Sequence, residues 1–268
     1  MIQNSLYIHI PAHLLPTRQI FLLNRKLQPE VACQESSIDT LDFELLGDCA
    51  QQLQEQGLST TLHAPYTGFN PGSSKKRIRK FSHSLADKSL SLAEKLMARR
   101  IVFHPGLAYG SEGKKLDIWL DNSCDFWPEF IERAEKIDSV ICIENIYETT
   151  PDIFISLLSR LASPHIGHVF DIGHWNMFGH TKLLSWLETT APYLKHLHLH
   201  DNHGERDEHL AIGRGYVPFS TLFDWINKAP DIDVTMTVEN HSLPNTELSL
   251  KAIYNNFPEL QAEKNLPL

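Results

Sequence analysis

No stretch of 18 or more apolar residues occurs in this 268-residue chain, so nothing in it reads as a helix long enough to cross a bilayer. Residues 1–11 lack the basic stretch and small-residue cleavage site of an export signal. They read as a strand, and the expected location is the cytoplasm. The four cysteines, Cys33, Cys49, Cys124 and Cys142, form no CxxC pair, which argues against disulfides and against a thiolate zinc site. Positive charge is also short, with 24 Lys and Arg against 33 Asp and Glu and a net charge of −9. Broad, sequence-blind binding to a polyanion depends on clustered cations and is disfavoured. No short-period repeat, low-complexity tract or linker rich in Pro, Gly or Ser divides the chain, so residues 1–268 are expected to form a single domain.

Histidine, by contrast, is abundant, at 15 residues, and the apolar fraction of 42% is enough for a sizeable core. The apolar residues come in short runs at 6–10, 30–33, 59–62, 100–103, 139–143, 167–170, 194–199 and 234–238. Amphipathic stretches lie between them at 43–54, 76–97, 124–136, 152–161, 182–191, 219–227 and 247–255. Alternation of strand and helix predicts a parallel sheet, and eight such strands predict a closed (β/α)₈ TIM barrel.

The polar residues fall at the strand ends. The third run is followed by His63 and the fourth by His104; the fifth ends at Glu144-Asn145 and the sixth at Asp171, with His174 three residues on. The seventh runs through His196, His198 and His200 to Asp201, and the eighth ends at Glu239-Asn240. In a barrel those ends converge on the face that carries the active site. Imidazoles with carboxylates and no thiolate suit Zn, Mn or Fe better than Ca or Mg alone. A lone strand-end histidine is more often a satisfied loop residue, but six strands in phase carry more weight.

With these motifs on the page, the chain resembles the AP endonuclease 2 / xylose isomerase-like barrel superfamily from about His63 to Glu239. Within it, His63-Ala64-Pro65-Tyr66, Phe103-His104-Pro105-Gly106, Ile143-Glu144-Asn145 and Asp171-Ile172-Gly173-His174 resemble segments of endonuclease IV. So do His198-Leu199-His200-Asp201, and Asp207-Glu208-His209 followed by Gly213 and Gly215. The resemblance implies a metal set of His63, His104, Glu144, Asp171, His174, His198, Asp207, His209 and Glu239, and three zinc ions bridged in part by Glu144. It further implies hydrolysis of a phosphodiester, with Glu144 and Glu239 as the catalytic carboxylates. The other branch of the superfamily, the sugar and sugar-phosphate isomerases and epimerases, uses fewer ligands around one or two divalent metals such as Mn or Co. It supplies the alternative reading.

Two departures bear on substrate. Asp-Arg-His of endonuclease IV is Asp207-Glu208-His209 here, and no equivalent of its duplex-penetrating loops is visible. With a net charge of −9, these rank DNA below a small phosphate-bearing metabolite as the partner. A cobamide nucleotide loop, the substrate of the cobamide-remodelling phosphodiesterase branch, is one candidate, on analogy of fold. Tyr66, Trp175 and His200 are the candidate substrate contacts, Tyr66 and Trp175 weighed against plain core packing and His200 against supporting a ligand or standing by. The run Lys75-Lys76-Arg77-Ile78-Arg79-Lys80 reads first as a solvated helix face and second as a phosphate grip. Asn145, Asn240 and His241 read as hydrogen-bonding support for ligands, and His83, His165, His168 and His180 as structural.

Overall fold

The computed structural model describes residues 5–228 and 233–260. Eight parallel strands close into a barrel in chain order: β1 (Leu6–Pro11), β2 (Gln28–Ala32), β3 (Thr61–His63), β4 (Arg100–Phe103), β5 (Val140–Glu144), β6 (Ile166–Asp171), β7 (Leu194–Leu199) and β8 (Thr235–Val238). All eight predicted strands are present, displaced by no more than two residues at either end. Around them lie α1 (Leu15–Arg25), α2 (Phe43–Glu55), α3 (Lys76–Leu96), α4 (Lys114–Phe126), α5 (Pro128–Lys136), α6 (Asp152–Leu161), α7 (Ile172–Phe178), α8 (Leu183–Thr190), α9 (Phe219–Lys228) and α10 (Leu243–Asn256). Among the described residues no helix is long and apolar enough to cross a membrane. All four cysteines are free.

The helices depart from expectation in three places. The helix expected at 124–136 is two, α4 and α5, broken where Pro128 removes a backbone donor and restricts Trp127 before it. Helix α1 buries only Leu15 and Leu22, too thin a stripe to register as amphipathic. Helix α7 is a seven-residue turn that starts on the Asp171 side chain, whose Oδ1 accepts the His174 N–H at 2.7 Å.

The large side chains pack between barrel and helices: Phe103, Trp127, Phe130, Phe154, Phe170 and Trp186 are all almost fully buried. A separate, small apolar cluster consists of Val102, Cys142 and Val169, on the strand faces opposite to those of Phe103, Ile143 and Phe170. Much of the rest of the interior is polar. Glu30, Thr61, Thr237, His196 and His198 are all completely buried. A barrel lined this way loses apolar stabilisation at its centre, and that cost locates the chemistry.

Candidate metal centre

Strand alternation decides which donors meet. On β7, His196 and His198 share one face with His200 just beyond the strand, while Leu197 and Leu199 join the outer core. The register sets Asp171 beside His198, and His198 beside Thr237. It sets His9 beside Glu30, and Glu144 beside Val169. His63 ends β3, Glu144 ends β5 and Asp171 ends β6, so the donors come together at the C-terminal mouth of the barrel.

Glu144 lies at the centre. Its Oε2 is 3.4 Å from His63 Nε2 and 3.4 Å from His104 Nε2, and its Oε1 is 3.3 Å from the Nδ1 atoms of both His174 and His198. Glu239 Oε2 lies 3.1 Å from the same His198 Nδ1. Asp207 Oδ2 lies 3.1 Å from His209 Nε2 and 3.5 Å from His174 Nε2. Asp171 Oδ2 accepts from His200 Nε2 at 3.1 Å. All nine residues of the expected set, from His63 to Glu239, therefore meet in one place.

These contacts suit a cation better than they suit one another. Both oxygens of Glu144, Oε2 of Glu239 and both ring nitrogens of His198 are buried with no aligned hydrogen bond, despite the short separations. Backbone carbonyls, which only accept, hold the Nδ1–H of His63 (Ala64, 3.0 Å), His174 (Asn145, 3.1 Å) and His209 (Glu239, 2.6 Å). Each of these rings therefore turns an Nε2 lone pair toward a carboxylate: Glu144 for His63, and Asp207 for His174 and His209. Lone pairs facing lone pairs repel unless protons or metal ions lie between them. Groups of donors with all ligand atoms within 4.8 Å of one another include His63–His104–Glu144, His63–His198–Glu239, Asp171–His174–His200 and His200–His209–Glu239. The residues fit divalent metal.

The electrostatics carry the same signature. Burial works to raise the carboxyl of Glu144, but the imidazoles of His198, His104 and His174 hold it well below its ordinary value. Glu239 is held down likewise against its burial, chiefly by His198. Burial works to lower His198 and His174, yet the surrounding carboxylates push both well above the usual imidazole range. His209 rises to about 9 despite burial, through Asp207 and Glu239. His104 is the exception, because burial dominates and drops it to about 3.

The loop after β7 is built to deliver Asp207 and His209. Asp201 is fully buried and accepts the backbone N–H groups of Asn202, Gly213, Gly215 and Val217 at 2.8–3.0 Å. A Cβ on Gly215 would meet the Asn202 carbonyl at 2.3 Å, so that glycine is required by close approach. Asn240 Nδ2 donates to the carbonyls of His209 and Leu210, and Asn145 exchanges two hydrogen bonds with the Asp171 backbone. His209 itself sits at φ 48°, a left-handed conformation that is uncommon for non-glycine residues.

The three candidate substrate contacts separate. Tyr66 lines the cavity and stacks on His104 with ring centroids 4.5 Å apart. His200 is completely buried, lies beneath the site against Gly173 and stacks on His209, so it supports Asp171 and does not face the cavity. Trp175 does not line the cavity either, because its indole N–H is tied to the Thr181 carbonyl and its ring packs on the core. His241 stacks on His209 at 4.0 Å and does line the cavity. The basic run at the start of α3 stays on the surface, with Lys75, Lys76 and Arg77 exposed. Of the histidines read as structural, His168 donates from Nδ1 to the Ile143 carbonyl and accepts from Trp186 at Nε2.

Sequence reasoning missed Glu30. This carboxylate is fully buried on β2, where Thr61 and Thr237 donate to its Oε2, and His196 Nε2 lies 3.1 Å from the same oxygen. Its other oxygen, Oε1, lies 3.2 Å from His198 Nε2. The available signal was a charged residue among apolar neighbours in Pro29-Glu30-Val31.

The donors open into a cavity of about 750 Å³, the size of a small-molecule site. Seven of the nine expected residues line it, and Asp171 and His198 lie beneath. Among the described residues no Lys or Arg does so.

Known proteins share this architecture. A D-tagatose 3-epimerase-like protein superposes with a TM-score of 0.80 at 22% identity, over 95% of this chain and 97% of that one. The TTHB071 protein from Thermus thermophilus, solved after soaking with ZnCl2, gives 0.79 at 21% identity, over 96% of this chain and all of that one. The 3-keto-D-glucoside 4-epimerase YcjR from E. coli gives 0.70 at 15%, again over 96% and 100%. At such identities the likeness speaks for the fold. In sequence, the uncharacterized protein MJ1614 of Methanocaldococcus jannaschii is 31% identical over 206 residues, 74% of this chain and 77% of that protein. MJ1311 of the same organism is 29% identical over 210 residues, 76% and 71%. The model of the xylose isomerase-like TIM barrel family (AP endonuclease 2) matches residues 30–255, from the buried Glu30 past the last donor Glu239, and the chain belongs to that family.

Proposed function

We propose that this chain is a metal-dependent hydrolase that cleaves a phosphodiester of a small metabolite, with three zinc ions held by the nine donors. The observation that carries the reading is the surplus of ligands. His63 with His104, and Asp207 with His209, flank the Glu144–Asp171–His198–Glu239 core, and proton abstraction at a single metal has no use for these outer pairs. When bound, clustered divalent ions supply Lewis acidity and activate water near neutral pH. Glu144, with two oxygens directed to opposite groups of imidazoles, would bridge the cluster and orient the attacking water. Glu239 meets Glu144 at the same His198 Nδ1, where it would complete the ligand set and take up the proton that the attacking water loses. With no Lys or Arg among the described lining residues, the cluster itself must offset phosphate charge. A long nucleic-acid backbone finds no cationic track there, which supports a compact substrate over DNA.

A second reading is epimerisation or isomerisation of a sugar or sugar phosphate around one Mn or Co ion. Two observations favour it. Glu144 and Glu239 converge on one atom, His198 Nδ1, as a close pair of proton-transfer bases would, and several similar solved structures are named as sugar epimerases. Metal analysis joined to a substrate panel of phosphodiesters, a cobamide and ketoses separates the two. About three zinc ions per chain and phosphodiester turnover, lost in both His63→Ala and His104→Ala, are expected. One Mn per chain, with ketose epimerisation surviving in both variants, would overturn the hydrolase reading.

A further inference from the structure

The two halves of the cavity wall differ in kind. The loops after β1 and β2 present small or polar side chains, among them Ala32, Cys33, Gln34 and Ser37. The loops after β4 and β5 and the end of helix α7 present Leu107, Tyr147, Met177 and Phe178. Tyr147 meets the edge of Phe178 at 5.1 Å with the ring planes 80° apart. Tyr109 closes the corner, 6.0 Å from Tyr147 and 6.2 Å from Phe178. Despite this packing Tyr109 is 72% exposed and Tyr147 44% exposed. Two tyrosine rings held this open cost solvation, and packing them on the half-buried Phe178 pre-forms a wall beside Glu144 and His174.

From this wall we infer an aromatic subsite: the substrate carries a planar aromatic group beyond the bond that is broken, and Tyr147 and Phe178 receive it. The inference rests on the proposed reaction only for the position of the reacting group. The occupant follows from the wall. Offset or edge-on ring contacts suit a corner of perpendicular rings, and the corner is continuous with the donor cavity, so reacting group and ring lie on one molecule. A quaternary ammonium would instead call for ring faces enclosing it on several sides, and here the rings turn edges to one another.

Calorimetric titration of metal-loaded protein with matched probes tests this: phenyl phosphate against ethyl phosphate, and phenyl glucoside against methyl glucoside. In whichever pair binds, the phenyl member is expected to bind about tenfold tighter. Tyr147→Leu and Phe178→Leu, which keep apolar bulk and remove the ring, should each shrink that ratio severalfold, the phenyl member losing more affinity than the alkyl one. Binding in the glucoside pair alone would set aside the phosphoester reading and leave the subsite standing. Equal binding of phenyl and alkyl members, a ratio untouched by both substitutions, no binding of any probe, or tighter binding of phosphocholine than of phenyl phosphate would each overturn the subsite.

Discussion

Glu30 shows how one side chain conditions another. An imidazole that gives one nitrogen to a metal keeps its orientation by donating from the other, and a carboxylate in that second position fixes both tautomer and ring angle. His198 has Glu144 and Glu239 at Nδ1 and Glu30 at Nε2, and Glu30 is in turn held by Thr61 and Thr237. Glu30→Gln preserves shape and removes the charge. Its expected effect is a loss of metal affinity of roughly 10–100-fold, read by chelator competition. A d–d spectrum of the Co(II)-loaded variant should shift as well, since the geometry at His198 changes. Unchanged affinity and spectrum would reduce Glu30 to a filler of the barrel interior.

At the scale of the element, the loop between β7 and α9 touches the core through Ile212 and Val217, and Asp201 holds it by four backbone hydrogen bonds. Asp201→Ala would strand the buried N–H groups of Asn202 and Val217 and release those of Gly213 and Gly215, at a cost of about 3 kcal/mol to the local structure. Metal content should fall by the share that Asp207 and His209 carry, while circular dichroism stays that of a folded barrel. If the variant retains full metal occupancy, Asp201 is not what places the loop. This loop also marks what the sequence made legible. The donors of the whole site stand out because each sits near the end of an apolar run or in a tight spacing such as Asp171-x-x-His174, where cap and third helical residue coincide. The eight strands were legible because each is an apolar run bounded by polar residues. Glu30 was hidden because a carboxylate inside a short strand reads like the strand's edge. For His200 the choice between touching substrate and supporting a ligand stayed open, because strand alternation gives its face, whereas its depth depends on Gly173 leaving room beneath it. Helices α1 and α7 escaped because they bury too little to leave a periodic pattern.

For the molecule as a whole, the donor cluster is a standing cost that a bound metal would relieve. Binding to the folded chain alone stabilises it by about 2.7 kcal/mol per site at a hundredfold excess over Kd, so stripping the metal with chelator should lower Tm by roughly 5–10 °C per site. Because His174 and His198 are raised well above the usual imidazole range by neighbouring carboxylates, against their burial, they hold protons near neutral pH until metal displaces them. Metal binding should therefore release protons and strengthen as pH rises, seen as a buffer-dependent heat of binding. A heat independent of the buffer's ionisation enthalpy would contradict this.

Two further buried groups give the metal-free fold opposing pH dependences. Burial lowers His168 to about 4, and both its nitrogens are matched in the neutral form, Nδ1–H to the Ile143 carbonyl and Nε2 from the Trp186 N–H. Its contribution is complete above the ordinary value near 6.5 and is lost as pH falls toward 4. Burial raises Glu148 to about 7, although its Oε2 accepts the Ile146 N–H at 2.7 Å. Here the folded chain binds the extra proton, so this contribution is complete below the ordinary value near 4.5 and is lost as pH rises through about 7. Between those limits the two slopes oppose each other and partly cancel. Glu148→Gln keeps an acceptor for Ile146 and abolishes one slope. Denaturant unfolding in the presence of chelator should then show the variant gaining on the parent by about 3 kcal/mol between pH 4.5 and 7. A difference between the two proteins that stays constant across that window would mean Glu148 is ionised in the fold throughout, and that the neutral acid is not what the buried loop after β5 was built around.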